Sequence, residues 1–188
     1  RLFAYSSVAQ IGYIVLGLSF DSTTGLTATI VHLFNHGITK GAIFMLLGGV
    51  ALSIGGTSFQ QVQGLGRRMP LTSFGIVLCG LSLIGVPGTA GFVSKWYLIL
   101  AALEKGQWWM VFLIVSSSML ALAYVWRFVE AAYFREPSAH TLGVREAPLS
   151  MLLPAGVLVA ATLWFGLDTS FTVGSAQQAA ILLMGGAH

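Results

Sequence analysis

Charge is what this chain has least of. Of its 188 residues, nine are Lys or Arg and six are Asp or Glu, together 8%, where a typical soluble domain carries about 25%. A soluble fold of this size cannot cover its surface with so little, which leaves the integral membrane class. There is one cysteine, Cys79, inside an apolar run; that excludes a disulfide framework and a cysteine-held iron–sulfur cluster. No GxGxxG follows a strand, so nucleotide binding is excluded as well. The sequence pI is 9.3, but the basic residues are scattered and form no patch for a phosphate backbone, so nucleic acid is not a partner. No basic leader followed by a small-residue cleavage site precedes Leu2, as a signal peptide would need. The chain is expected to be the C-terminal part of a longer membrane protein.

What is present is apolar: 56% of the residues are hydrophobic. A hydrocarbon core about 30 Å thick takes about 20 helical residues, and on that scale the chain divides into about five transmembrane helices, at residues 2–20, 26–54, 71–103, 108–134 and 149–167. The expected fold is all-α and integral to the membrane, a single transmembrane domain over 1–168 with a C-terminal tail at 169–188. The tail segment "AQQAAILLMGG" is too short to span and is expected to lie against the protein or the interface. Outside the spans, Arg1, Arg67, Arg68, Arg135 and Arg145 fall on one side and Lys105 on the other. The positive-inside rule makes the arginine side cytoplasmic and sets the C-terminus outside. Trp108, Trp109 and Trp164 lie near span ends, where an aromatic belt would sit.

The third span, Leu71 to Leu103, would be about 50 Å long as one helix. Its middle reads "GVPGTAG". Pro87 removes a backbone donor and clashes with the turn before it, and Gly85, Gly88 and Gly91 weaken the helix further. Two half-helices joined by an unwound segment are expected. Irregular backbone at membrane depth survives only where protein or a wet cavity surrounds it, and broken helices of this kind build ion sites in transporters. Lys95 follows the break by one turn. It can act as a proton switch, or as a fixed partner for the carbonyls freed at Pro87.

Between Ser22 and Gly66 the one formally charged residue is Lys40, in "HLFNHGITKGAIFMLLG". His32, His36 and Lys40 are spaced i, i+4, i+8, so they share one helix face over about 12 Å of depth. A single intramembrane histidine usually serves as an interhelical hydrogen-bonding group; three titratable groups in a row make a line along which protons can hop where waters bridge it. The two histidines have the spacing of a helical zinc pair, but Leu33 stands where HExxH needs its glutamate, and no other span offers a histidine. Neither a metal nor a haem is expected, and no cofactor. Arg127 and Glu130 are spaced i, i+3 and are expected to pair on the helix surface, with a transport role secondary. Ser6, Ser7, Gln10 and Tyr13 give the first span a polar, small-residue face suited above all to close packing.

"RLFAYSSVAQIGYIVLG", "HLFNHGITKGAIFMLLGG", "GLSLIGVPGTAGFVSKWYLILAALEKG" and "YVWRFVEAAYFREP" together resemble the antiporter-like membrane subunits shared by respiratory complex I, membrane-bound hydrogenases and Mrp-type cation/proton antiporters. The resemblance covers essentially the whole chain, and in "HLFNHGITKG", "FVSKWY" and "VREAPLSMLLP" it looks closest to the D subunit of the Mrp antiporter. It implies a longer protein of about fourteen helices with inverted repeats, of which this chain matches the last five. It implies that Lys95 occupies the functional lysine position of a discontinuous helix, and that Lys40, His36 and His32 belong to a proton path. The family's first half, with the glutamate and lysine that complete the relay, is not in this sequence. The implied function is a proton-translocating membrane subunit of a sodium/proton antiporter, a transporter subunit rather than an enzyme. The alternative is a non-catalytic proton-pumping subunit of an NADH:quinone oxidoreductase or a membrane-bound hydrogenase. Implied partners are other membrane subunits, protons, Na+ or K+, and the lipid of a bacterial-type plasma membrane that the chain crosses several times.

Overall fold

The structure is a computed structural model that describes residues 2–141 and 143–185; Arg1, counted above on the arginine side, lies outside them. All regular structure among the described residues is helical: α1 (Leu2–Ser19), α2 (Thr23–Ile54), α3 (Leu65–Arg68), α4 (Pro70–Ile84), α5 (Ala90–Glu104), α6 (Trp108–Val129) continued by a π-helical turn (Glu130–Phe134), α7 (Leu149–Leu167) and α8 (Ser170–Gly185). Among the described residues, four segments are long and apolar enough to cross a membrane: α1, α2, α6 with its π turn, and α7. The protein is an all-α integral membrane protein. The long third span is interrupted as its Pro and Gly content predicts, into α4 and α5 of 15 residues each.

Local chemistry sets the helix ends. Ser22 caps α2 by accepting from the Gly25 N–H at 3.0 Å. Gly55, in the left-handed region at φ 78°, closes the helix. Pro70 occupies the first turn of α4, where a missing N–H is harmless. The next two donors of that turn, Leu71 N and Thr72 N, bond the Glu146 carboxylate at 3.2 and 3.0 Å. An acidic side chain at a helix N-terminus is favourable for both its hydrogen bonds and its charge.

The 32-residue α2 is the central post, with α1, α4, α5, α7 and α8 packed around it. Two interrupted columns run antiparallel to it. One is α4 followed by α5: Thr39 meets Ser82, Asn35 meets Ala90, and Thr24 meets Glu104. The other is α7 followed by α8. Gly41 faces Leu158, Phe34 meets Phe165, and Thr23 meets Met184. The tail thus forms a helix that buries Thr172, Val173, Ala176 and Ala180, along the N-terminal half of α2. The two interruptions touch: a Cβ on Gly166 would collide with the backbone of Thr89 and with Gly88 O.

Candidate functional site

The break between α4 and α5 is built from its carbonyls. Gly85, at φ 92°, is in a left-handed conformation that favours glycine. Its N–H reaches Leu81 O and Ser82 O, and Val86 N also bonds Leu81 O, which closes α4. In a continuous helix Leu83 O would accept from residue 87, but residue 87 is a proline without an N–H. The Lys95 ammonium replaces that donor. Nζ lies 2.8 Å from Leu83 O, 2.8 Å from Ile84 O and 2.9 Å from Ser118 Oγ on α6. Three N–H bonds meet three acceptors, and a cation sits at the negative end of α4. The side chain is only 5% exposed. Across the gap, the two half-helices approach so closely at Gly91 that any Cβ there would overlap Ser82 O. The Gly91 N–H bonds Ser82 Oγ at 3.0 Å, which satisfies one orphan donor of α5.

The face of α2 that carries His32, His36 and Lys40 meets this break. His32 Nδ1 is 2.9 Å from Ser94 Oγ, and Asn35 Nδ2 donates to Ala90 O at 2.8 Å. Ser94 spends its own hydrogen on Gly91 O at 3.2 Å. In that arrangement Nδ1 is the donor and Nε2 of His32 is left as a bare lone pair. The His32 and His36 rings stack at 5.9 Å between centroids, 3° from parallel. Tyr13 of α1 sits against both Lys95 and His32: its ring lies 5.1 Å from Lys95 Nζ and 5.4 Å from the His32 ring, and its hydroxyl bonds Ser117. His32 Nε2, Asn35 Oδ1 and His36 Nδ1 are buried without a protein partner. Their residues line one cavity of about 10 Å³ together with Gln10, Thr39 and Ser82. A polar cavity of that size holds about one water.

Lys40, one turn further along α2 and also 5% exposed, is held differently. Its Nζ donates to Phe3 O at 2.6 Å and to Ser6 Oγ, both from α1. The rest of the ammonium faces aromatic rings, Phe3 at 5.9 Å and Phe44 at 5.8 Å.

Lys95, His32 and His36 thus meet around the break formed by Gly85, Pro87, Gly88 and Gly91, through Tyr13, Ser94 and the small cavity, while Lys40 lies on the same face of α2 but is held by α1. Arg127 and Glu130 do not join it, and they do not pair. Glu130 bonds Arg135 at 2.8 Å, because the π turn brings residues five apart together; Arg127 lies over the Phe59 ring at 5.9 Å. Ser118, Tyr13 and Ser6 are lysine partners that sequence reasoning missed. Ser6 and Tyr13 were expected to serve packing. The reading of Lys95 as a fixed partner for carbonyls freed at Pro87 matches its bonds to Leu83 O and Ile84 O.

Comparison with known proteins places these residues in context. Residues 1–121 match the family model described as NADH:quinone oxidoreductase/Mrp antiporter, transmembrane. The NADH-quinone oxidoreductase subunit N of Desulforudis audaxviator is 39% identical, over 96% of this chain. The chain spans 38% of the length of that relative. Among solved structures, a chain of the Mrp complex of Dietzia sp. superposes with a TM-score of 0.90 at 27% identity, covering 98% of this chain and 42% of the other. A chain of the membrane-bound sulfane sulfur reductase, an archaeal respiratory complex, superposes with a TM-score of 0.82 at 32% identity, covering 88% of this chain and 28% of the other.

Proposed function

Because this chain belongs to the NADH:quinone oxidoreductase/Mrp antiporter transmembrane family, we propose that it moves protons across the membrane as the C-terminal part of a larger subunit. The observation that carries the reading is the Lys95 ammonium, buried at a helix break with each hydrogen assigned to an acceptor. When Lys95 releases a proton, the amine keeps two hydrogens for three acceptors, so one acceptor loses its donor and the break must readjust. The proton passes to the free Nε2 of His32 in the histidine stack, where a water in the small cavity would reach His32, Asn35 and His36. Lys40 is the next acceptor. Two ammonium charges in one low-dielectric bundle repel, so loading one lysine favours unloading the other. The remaining part of the subunit supplies the rest of the path, and other membrane subunits are its partners. The arginine-bearing end faces the cytoplasm.

The names of the relatives favour a proton-pumping, non-catalytic subunit of a respiratory quinone oxidoreductase over the sodium antiporter subunit that the motifs suggest first. The antiport reading keeps one specific support, the superposition on a chain of the Mrp complex. The test is proton movement in vesicles that hold the full-length protein with its complex. Substrate-driven proton uptake independent of sodium supports the respiratory reading; a sodium gradient that moves protons without a reductant supports the antiporter. Lys95→Met abolishes either. Wild-type flux in both Lys95→Met and Lys40→Met would reduce the chain to a scaffold.

A further inference from the structure

Arg127 is a cation within a membrane-length helix that the proton path leaves unused. It lies in the last turn of α6, is exposed, and makes no ion pair among the described residues, since Glu130 is taken by Arg135. Its guanidinium rests on Phe59, and Phe59 borders a groove of about 400 Å³ between α1, α2 and α6. The inner wall of that groove is apolar: Phe3, Phe44, Leu47 and Phe128. Its rim, Thr57 and Ser58, is hydroxylated and exposed. An apolar slot, a hydroxyl rim and an unpaired guanidinium at the same end match the acyl chain, ester region and phosphate of one molecule. We infer that this groove binds an anionic phospholipid, with its acyl chain along Phe3 and Phe44 and its phosphate at Arg127. Long basic side chains near helix ends reach toward the head-group layer, and basic pockets between helices recognise anionic head groups.

A second groove of similar size, about 360 Å³, separates α2 from α8 along Ile30, Phe34, Phe171 and Ser175. Neither lining carries a basic side chain; what sets the first apart is Arg127, which adjoins it through the Phe59 ring. The Phe3 and Phe44 rings that would hold the acyl chain are the rings that face Lys40, so an occupant there completes the dry wall around that ammonium. The binding is measured directly, without a proton-transport assay.

The experiment uses the full-length protein in nanodiscs, with Phe44→Trp as a reporter in the first groove and Ser175→Trp in the second. The probes are phosphatidylglycerol and phosphatidylcholine carrying brominated acyl chains, which quench a tryptophan they touch. Phosphatidylglycerol should be preferred over phosphatidylcholine at the first reporter by about fivefold, the worth of one basic residue near an anionic head group, and should show no preference at the second. Arg127→Gln abolishes the preference; Arg127→Lys keeps it, which a purely structural stacking role on Phe59 would not. Arg145→Gln, at an exposed arginine of the same end, leaves it unchanged. The inference is overturned by equal quenching from both lipids, by an equal loss in Arg145→Gln, or by absent quenching because a helix of the longer chain fills the groove.

Discussion

Two interrupted helices touch in this protein, and their breaks are repaired in opposite ways. Between α4 and α5 the problem is a carbonyl: Leu83 O faces a proline that cannot donate, and the Lys95 ammonium fills the gap. Between α7 and α8 the problem is an N–H: Ser170 N opens α8, and the Asp168 carboxylate accepts it at 3.0 Å, with the Ser170 hydroxyl at 2.6 Å. Each charge has the sign the nearby helix end requires. The environments differ. Lys95 is sealed inside the bundle, with its hydrogens spent on fixed acceptors. Asp168 caps its helix in the open, where other polar partners can replace it. A buried repair that is removed leaves orphaned polar groups; an exposed one leaves groups that find new partners. On the proposed function, this difference makes the first break the place for a chemical step and the second a joint.

The sharpest way to break this contrast is Lys95→Met. It leaves Leu83 O and Ile84 O buried without a donor, at about 1–3 kcal/mol each, so thermal unfolding in detergent should start well below wild type. Proton flux in the full-length protein should fall to background. An Asp168→Asn protein that melts as low as Lys95→Met would remove the distinction between the two breaks.

Gly166→Ala tests their contact. A methyl there collides with the Thr89 backbone and Gly88 O, so overpacking should cost about 1–3 kcal/mol. Amide hydrogen exchange should quicken on both sides of the contact, at residues 86–91 and at the start of α8. Acceleration confined to α7 would show the joint to be mechanically silent. Ser118→Ala is milder. It removes one of three acceptors while both carbonyls keep the ammonium, for about 0.5–1.5 kcal/mol. Proton flux should be reduced and not abolished.

How far sequence reached follows from range. The first break was legible because Pro87 and three glycines act within a few residues of one another. The histidine–lysine face was legible because helical spacing alone aligns it. Ser118 was not: it lies 23 positions from Lys95, and no periodicity says which face of α6 turns toward α5. The expected Arg127–Glu130 pair failed for a local reason, since a π turn begins at Glu130 and redirects it to Arg135. The α8 column was half legible. Its apolar segment was visible and short, but its length matters only beside the 32-residue α2 it lines. The signal that starts it, Asp168 ahead of "TSF", was on the page as an ordinary helix opening.

That opening supplies the smallest effect and the one with a pH signature. The bonds from the Ser170 hydroxyl and backbone N–H hold the Asp168 carboxyl below its ordinary value of 3.8. A depressed folded-state value means that the ionised carboxylate favours the folded form. Its contribution is complete above the unfolded value and disappears as pH falls through the folded one. Asp168→Asn keeps an oxygen acceptor for Ser170 N but has no proton to gain. Wild type and variant should therefore differ slightly at pH 7 and converge toward pH 3, with local exchange at the first turn of α8 as the readout. A difference that stays constant from pH 7 to pH 3 would mean that the carboxylate's charge contributes nothing at this joint. Lys95 would then be the one ionised group holding a helix end at either break.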